Sequence, residues 1–184
     1  MVGFAAVQSS GKAASLLPDC ARVVRGLPAG MHAWLELLPR GLESPALLRI
    51  APDPTAREAL VQQARVRVAR IRGYCWIDDE TPCIVLSTRY YREGDERDLY
   101  LDLLHELTHL RQLSEGHDVW DDRLKYVDRP TEIEGYAVAI EEGRRLGMTD
   151  EEVVVHLSNP WMDEGDVQRL VGNVERFLAK GPRP

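Results

Sequence analysis

The sequence is short of cysteine, aromatic residues, positive charge and long apolar runs, and most of these shortages exclude something. Three cysteines, Cys20, Cys75 and Cys83, in 184 residues do not make a disulfide framework, and their odd number points to a reducing compartment. Cys75 and Cys83 could face each other across a hairpin, but buried free thiols are the more ordinary reading. No stretch stays apolar for the roughly 18 residues that a membrane span needs, so no membrane partner is expected. The opening MVGFAAVQSSGKAAS has no positive segment ahead of its short apolar patch and makes a poor secretory signal. The expected location is therefore cytoplasmic. The net charge is -7, which argues against the broad basic surface that governs affinity for nucleic acid. One basic run, Arg65, Arg67, Arg70 and Arg72, reads as the solvated face of a helix.

What remains is ordinary globular material, 44% hydrophobic and 29% charged. Residues 1–55 hold six of the eleven prolines, broken further by Gly26, Gly30 and Gly41. With short apolar pieces at 31–38 and 46–50, they read as an irregular N-terminal arm of short strands or helical turns. Such an arm could be a prosegment, a lid or a dimer contact. Residues 56–180 form the main domain. Thr55 with Glu58 has capping-box spacing, and Leu60, Ala64, Val68 and Ile71 recur at helical intervals up to Gly73. YCWI at 74–77 and CIVLST at 83–88 read as two strands. Asp95 caps a helix that runs to about Ser114, with Leu99, Leu103, Leu107 and Leu110 as its buried stripe and Gly116 as its stop. After a polar loop at 115–130 come a helix from Glu132 to about Leu146, a shorter one at 150–156, and a last one starting at Asp163 or Asp166. The tail at 181–184 reads as frayed. The class is α+β, a small mixed sheet packed on helices.

One constellation carries chemistry. His105 and His109 lie four apart on the strongly predicted helix, so both imidazoles share one face and both can reach one zinc ion. Glu106, beside the first, is placed to take a proton from a water on that metal, which is the logic of HExxH. A third ligand is needed. The pattern with a third histidine six residues on fails, because Gln112 and Glu115 stand at its glycine and histidine positions. The following helix offers Glu132 and Glu134 instead.

On these residues the chain resembles the zincin metallopeptidases of gluzincin type, over roughly residues 56–146, and among them the compact bacterial ImmA/IrrE-like peptidases. Their third ligand commonly sits in an E-x-x-A helix two to three dozen residues past HExxH. Glu132 fits with Gly135 in the small position, 23 positions past His109, and Glu134 fits less fully through Ala137. Small neighbours at Gly135 and Ala139 would let this helix approach closely, which also favours Glu132. The resemblance implies a zincin-like fold, zinc held by His105, His109 and Glu132, Glu106 as general base, and a peptide or protein substrate paired with the strand at 83–88. Tyr126, Tyr136 and His117 are candidates to stabilise the oxyanion. Tyr136 stands where an acid or amide is usual, and its hydroxyl is a candidate to hold a ligand histidine. Asp102 is another candidate for that task. His32 and His156 have no evident partner, and Trp120 and Trp161 read as loop anchors. A catalytically silent zinc-binding module on the same scaffold is the alternative. An interaction protein without metal is the other.

Overall fold

The computed structural model describes residues 17–181. The readings of the first fifteen residues and of most of the tail fall outside them. The described chain is mixed α+β. Four short strands, β1 (Gly30–Ala33), β2 (Arg65–Ala69), β3 (Cys75–Ile77) and β4 (Ile84–Ser87), form one sheet in the order β1-β2-β4-β3. β1 pairs antiparallel with β2, β2 parallel with β4, and β3 antiparallel with β4. The helices are α1 (Trp34–Leu37), α2 (Ala46–Ile50), α3 (Pro54–Gln63), α4 (Thr88–Glu93), α5 (Glu96–Ser114), α6 (Pro130–Arg145), α7 (Asp150–Leu157) and α8 (Glu164–Ala179). Among the described residues, no helix is long and apolar enough to cross a membrane.

The helix expected from Thr55 to Gly73 is shorter than its periodicity suggested. Asp53, not Thr55, caps it, accepting from the Ala56 amide at 2.8 Å with Pro54 in the first turn. The chain turns at Ala64 and continues as β2, whose RVRVA alternates exposed arginine with buried valine. Val66 and Val68 are both buried, which a period of two allows and a single helical stripe does not. The basic run therefore lies on the outer face of a strand and the loop after it. Arg67 there pairs with Asp78.

The segment read as an arm is built of short strand and helical turns, but it belongs to the common core. β1 extends the sheet, and Trp34, Leu37, Leu47 and Ile50 are fully or nearly fully buried. Ser44 and the Tyr100 hydroxyl share a hydrogen bond of 2.6 Å, and that hydroxyl donates to Glu142 at 2.9 Å, tying the segment to α5 and α6. Arg22 and the Val23 amide both donate to Glu96. Burial of apolar side chains of this size stabilises by about 1.5–3 kcal/mol each, in sum comparable with the net stability of a whole domain. Residues 17–55 thus share one core with α5 and α6.

α5 lies at the centre. Asp95 caps it by accepting from the Arg97 and Asp98 amides, and it runs to Ser114 before Gly116 at φ +82°. Its four predicted leucines are buried, and so are Tyr100, Leu101 and Leu104, so the helix is covered nearly all round. α6 packs along it. The last three helices begin within a residue or two of their predicted positions, and α6 and α7 end within one, with Thr149 and Asp163 capping α7 and α8. Cys75 and Cys83 do not face each other. Both are free thiols, Cys75 standing opposite Leu86 while the Cys83 carbonyl accepts from the Asp78 amide.

Candidate metal centre

The α5–α6 contact brings His105, His109 and Glu132 together, all three buried. The two Nε2 atoms are 2.9 Å apart. Glu132 Oε2 lies 3.3 Å from His105 Nε2 and 3.5 Å from His109 Nε2, and it makes no hydrogen bond of good geometry. Ligand atoms held tetrahedrally about 2.0–2.2 Å from one zinc ion are themselves roughly 3.3–3.5 Å apart. The two distances to Glu132 match the spacing of groups that share one cation, while the two Nε2 atoms stand closer, at hydrogen-bond distance. Unpaired, they would be costly to bury.

The surroundings aim these atoms. His109 Nδ1 is 2.7 Å from Gln112 Oε1, so Nδ1–H donates and Nε2 is left facing inwards. Gln112 is itself fixed, its amide donating to Thr131 O at 3.1 Å and to Glu134 Oε2 at 2.8 Å. Glu134 also pairs with Arg111 at 2.7 Å. It stands outside the cluster of His105, His109 and Glu132 and holds the residue that holds His109. Gln112 was noticed in the sequence only as a failed ligand position. Its spacing of three from His109 on one helix was the signal for its positioning role.

His105 is fixed by packing instead. Its ring lies tilted against Tyr136 with centroids 4.3 Å apart. A Cβ built on Gly135 would sit 3.0 Å from His105 Nδ1 and Cε1, so α6 can come this close only with glycine there. His105 Nδ1 has no hydrogen-bond partner. Neither expected partner supplies one. The Tyr136 hydroxyl is committed to Tyr126 at 3.0 Å and to the Asn159 amide at 2.9 Å. Asp102 accepts from the Tyr90 hydroxyl at 2.5 Å.

The electrostatics follow from burial and this crowding. Burial pushes His105 down to about 4, with Glu132 opposing. Burial also works against protonation of His109, but Glu132 outweighs it and lifts His109 to about 9. Burial disfavours ionised Glu132, yet the two imidazoles hold its carboxyl well below the usual range. Without a cation the triad is thus balanced by a His109–Glu132 ion pair. Burial raises Glu106 to about 8, with Glu132 and Asp102 adding to the rise and His109 opposing it.

Glu106 and His105 face a cleft of about 560 Å³. One wall is Tyr74, Cys75 and Trp76 of the β3 edge, and another is His156 with the loop to Trp161. β4, the strand expected to edge the cleft, is internal, between β2 and β3. The open edge is β3. The Ser87 amide donates to Tyr74 O and the Asp78 amide to Cys83 O, each at 2.9 Å. Alternation then turns the backbone groups of Cys75 and Ile77 off the free edge. A larger hollow of about 680 Å³ lies between α3 and the end of α5 but contains none of the predicted site residues.

Of the three oxyanion candidates, His117 is half exposed beside Glu115 and does not line the cleft. Tyr126 and Tyr136 line the cleft, with their hydroxyls bonded to each other. Of the two histidines that the sequence leaves without a partner, His156 is the one at the cleft. Its side chain is only 5% exposed, Nδ1 lies 3.5 Å from Asp98 Oδ1, and Nε2 has no hydrogen-bond partner. Nothing in its spacing announced this, because α7 brings it to α5 only in the folded chain. Trp161, read as a loop anchor, is 65% exposed at the cleft mouth, edge-on to Tyr126. Comparison with protein-family models, with curated proteins and with solved structures finds no match.

Proposed function

We propose that the chain is a zinc-dependent metallopeptidase on a zincin-like scaffold of gluzincin type, with His105, His109 and Glu132 as metal ligands and Glu106 as general base. The observation that carries this is the convergence of three buried ligand atoms next to a buried carboxylate that faces a cleft. Two imidazoles and one carboxylate are a donor set suited to zinc. Zinc held there supplies Lewis acidity that activates water and polarises a carbonyl at neutral pH.

The chain's own residues do the rest. Positive charge on the triad favours the ionised form of Glu106, against the burial that raises it to about 8. The Glu106 carboxylate then takes a proton from the attacking water and passes it to the departing amine nitrogen. The free edge of β3 offers the Cys75 and Ile77 backbone groups to an extended peptide, which adds as a further strand. His156 Nε2 is the unused buried donor on the opposite wall and is placed to hydrogen-bond a substrate carbonyl.

A mixed library of blocked peptides, read by mass spectrometry, tests the reading. The native chain with zinc should cleave and Glu106→Gln with zinc should not. Equal turnover by the two, or none by the native chain across the library, would overturn it.

A further inference from the structure

The cleft face of α5 carries a carboxylate at every turn. Asp98, Asp102 and Glu106 follow one another at intervals of four, so they form one row down the helix. All three line the cleft. Asp98 is at the mouth with its side chain 41% exposed, Asp102 is deeper at 27%, and Glu106 is buried at the reaction end. No lysine or arginine is among the described residues that line this cleft, in a chain that has 23 of them. Exposed Tyr74, Trp76 and Trp161 frame the opening.

A second observation of a different kind points to a ligand. The imidazole of His156 is nearly buried against this row, and Nε2 lies 3.7 Å from Asp102 Oδ1, beyond hydrogen-bond distance. A buried donor left unpaired costs stability, and a peptide carbonyl entering the cleft would satisfy it. His156 itself pairs with Asp98 and Asp102, but one imidazole cannot balance three carboxylates, so the row still favours a further cation, and the aromatic frame suits a long aliphatic stem or a guanidinium face.

We propose that this cleft is a subsite for a lysine or arginine side chain, whose charged end is taken by Asp98 while His156 holds a backbone carbonyl of the same peptide. Asp98 and Glu106 are eight residues apart, about 12 Å along the helix. At about 3.3 Å per residue of extended peptide, the basic residue sits within roughly three positions of the bond that Glu106 works on. The inference rests on the peptidase reading for that last placement, but the subsite itself can be tested without cleavage.

The probes are acetylated, amidated hexapeptides with lysine, arginine, norleucine or glutamate scanned through each position, plus one norleucine peptide with a free amino terminus. Binding to the full-length Glu106→Gln chain with one equivalent of zinc is followed by tryptophan fluorescence. Lysine or arginine at one position should bind about ten-fold tighter than norleucine, and glutamate weaker still. Asp98→Asn should bring lysine and norleucine within about three-fold of each other at unchanged circular dichroism, and Asp98→Glu should restore the preference. Equal binding of lysine and norleucine, no binding by any peptide, or a preference that survives in Asp98→Asn would overturn the proposal. So would the free amino terminus matching lysine, which would assign the site to an α-amino group. Charge-selective binding by a native chain that cleaves nothing would overturn the peptidase reading alone. Cleavage without charge preference would overturn only the subsite.

Discussion

The two sides of the cleft are built differently. Its floor, where α5 meets α6, is buried and over-determined. His109 is held by Gln112, Gln112 by Glu134, and His105 by Gly135 and Tyr136. Its far wall, α7 and the loop to Trp161, has Val155 at 73% and Trp161 at 65% exposure and meets the floor through His156, the Arg97–Glu152 ion pair and the Asn159 amide on Tyr136. The floor has the rigidity that positioned chemistry needs. The wall has the exposure and thin packing of a surface that can change without unfolding the molecule. Changes in the floor should therefore abolish function, and changes in the wall should tune it.

The largest effect is expected from Glu132→Gln. Retained zinc should fall from about one to below about 0.1 per chain, with all cleavage lost, because two imidazoles alone hold zinc poorly. Zinc retained at full stoichiometry in that variant would shift the ligand set elsewhere. Glu106→Gln should separate the floor's two tasks, keeping zinc while lowering kcat by about 10²–10⁴. Gly135→Ala and Gln112→Ala act one step out from the ligands. The first drives a methyl group into the His105 ring, the second frees the His109 ring, and each should weaken zinc about 10–100-fold in a competitive chelator titration. Wall changes should be milder. Trp161→Ala should leave zinc content untouched and shift unfolding by less than about 0.5 kcal/mol, with kcat/KM falling less than about ten-fold. A large loss of zinc in Trp161→Ala would erase the contrast between the two sides.

Protonation sharpens the same contrast. Without a cation, His109 is lifted to about 9 and Glu106 to about 8, so at pH 7 both hold protons. Zinc uptake should then release at least about one proton. Since the metal-free state binds more protons, zinc affinity should rise with pH between about 6 and 9. Calorimetry in buffers of different ionisation heat measures the release. An uptake independent of buffer would show that the ligands are already deprotonated in the metal-free chain.

How much of this was readable depended on how local the cause was. α5 was legible because its cap, its leucine stripe and its glycine stop are all encoded within about twenty residues. The spacing of His105, Glu106 and His109 is a property of that one helix, and the choice of Glu132 over Glu134 had a local cue in Gly135. β2 was misread because Leu60, Ala64 and Val68 satisfy a helical period while Val66 and Val68 satisfy a strand's, and only pairing with β1 and β4 decides between them. The same applies to the open edge. The order β1-β2-β4-β3 puts the earlier strand, β3, outside, and no feature of 74–88 alone says so. Residues 17–55 looked irregular because their prolines break elements into short pieces, while their burial comes from packing on α5 and α6. His156 stayed invisible because its partners, Asp98 and Asp102, lie more than fifty residues away.

Elemental analysis of chain purified without added metal decides whether the α5–α6 floor is a zinc site. About one zinc per chain is expected in the native protein and in Glu106→Gln, and almost none in His105→Ala. Native chain free of zinc, even after incubation with the ion and dialysis, would contradict it.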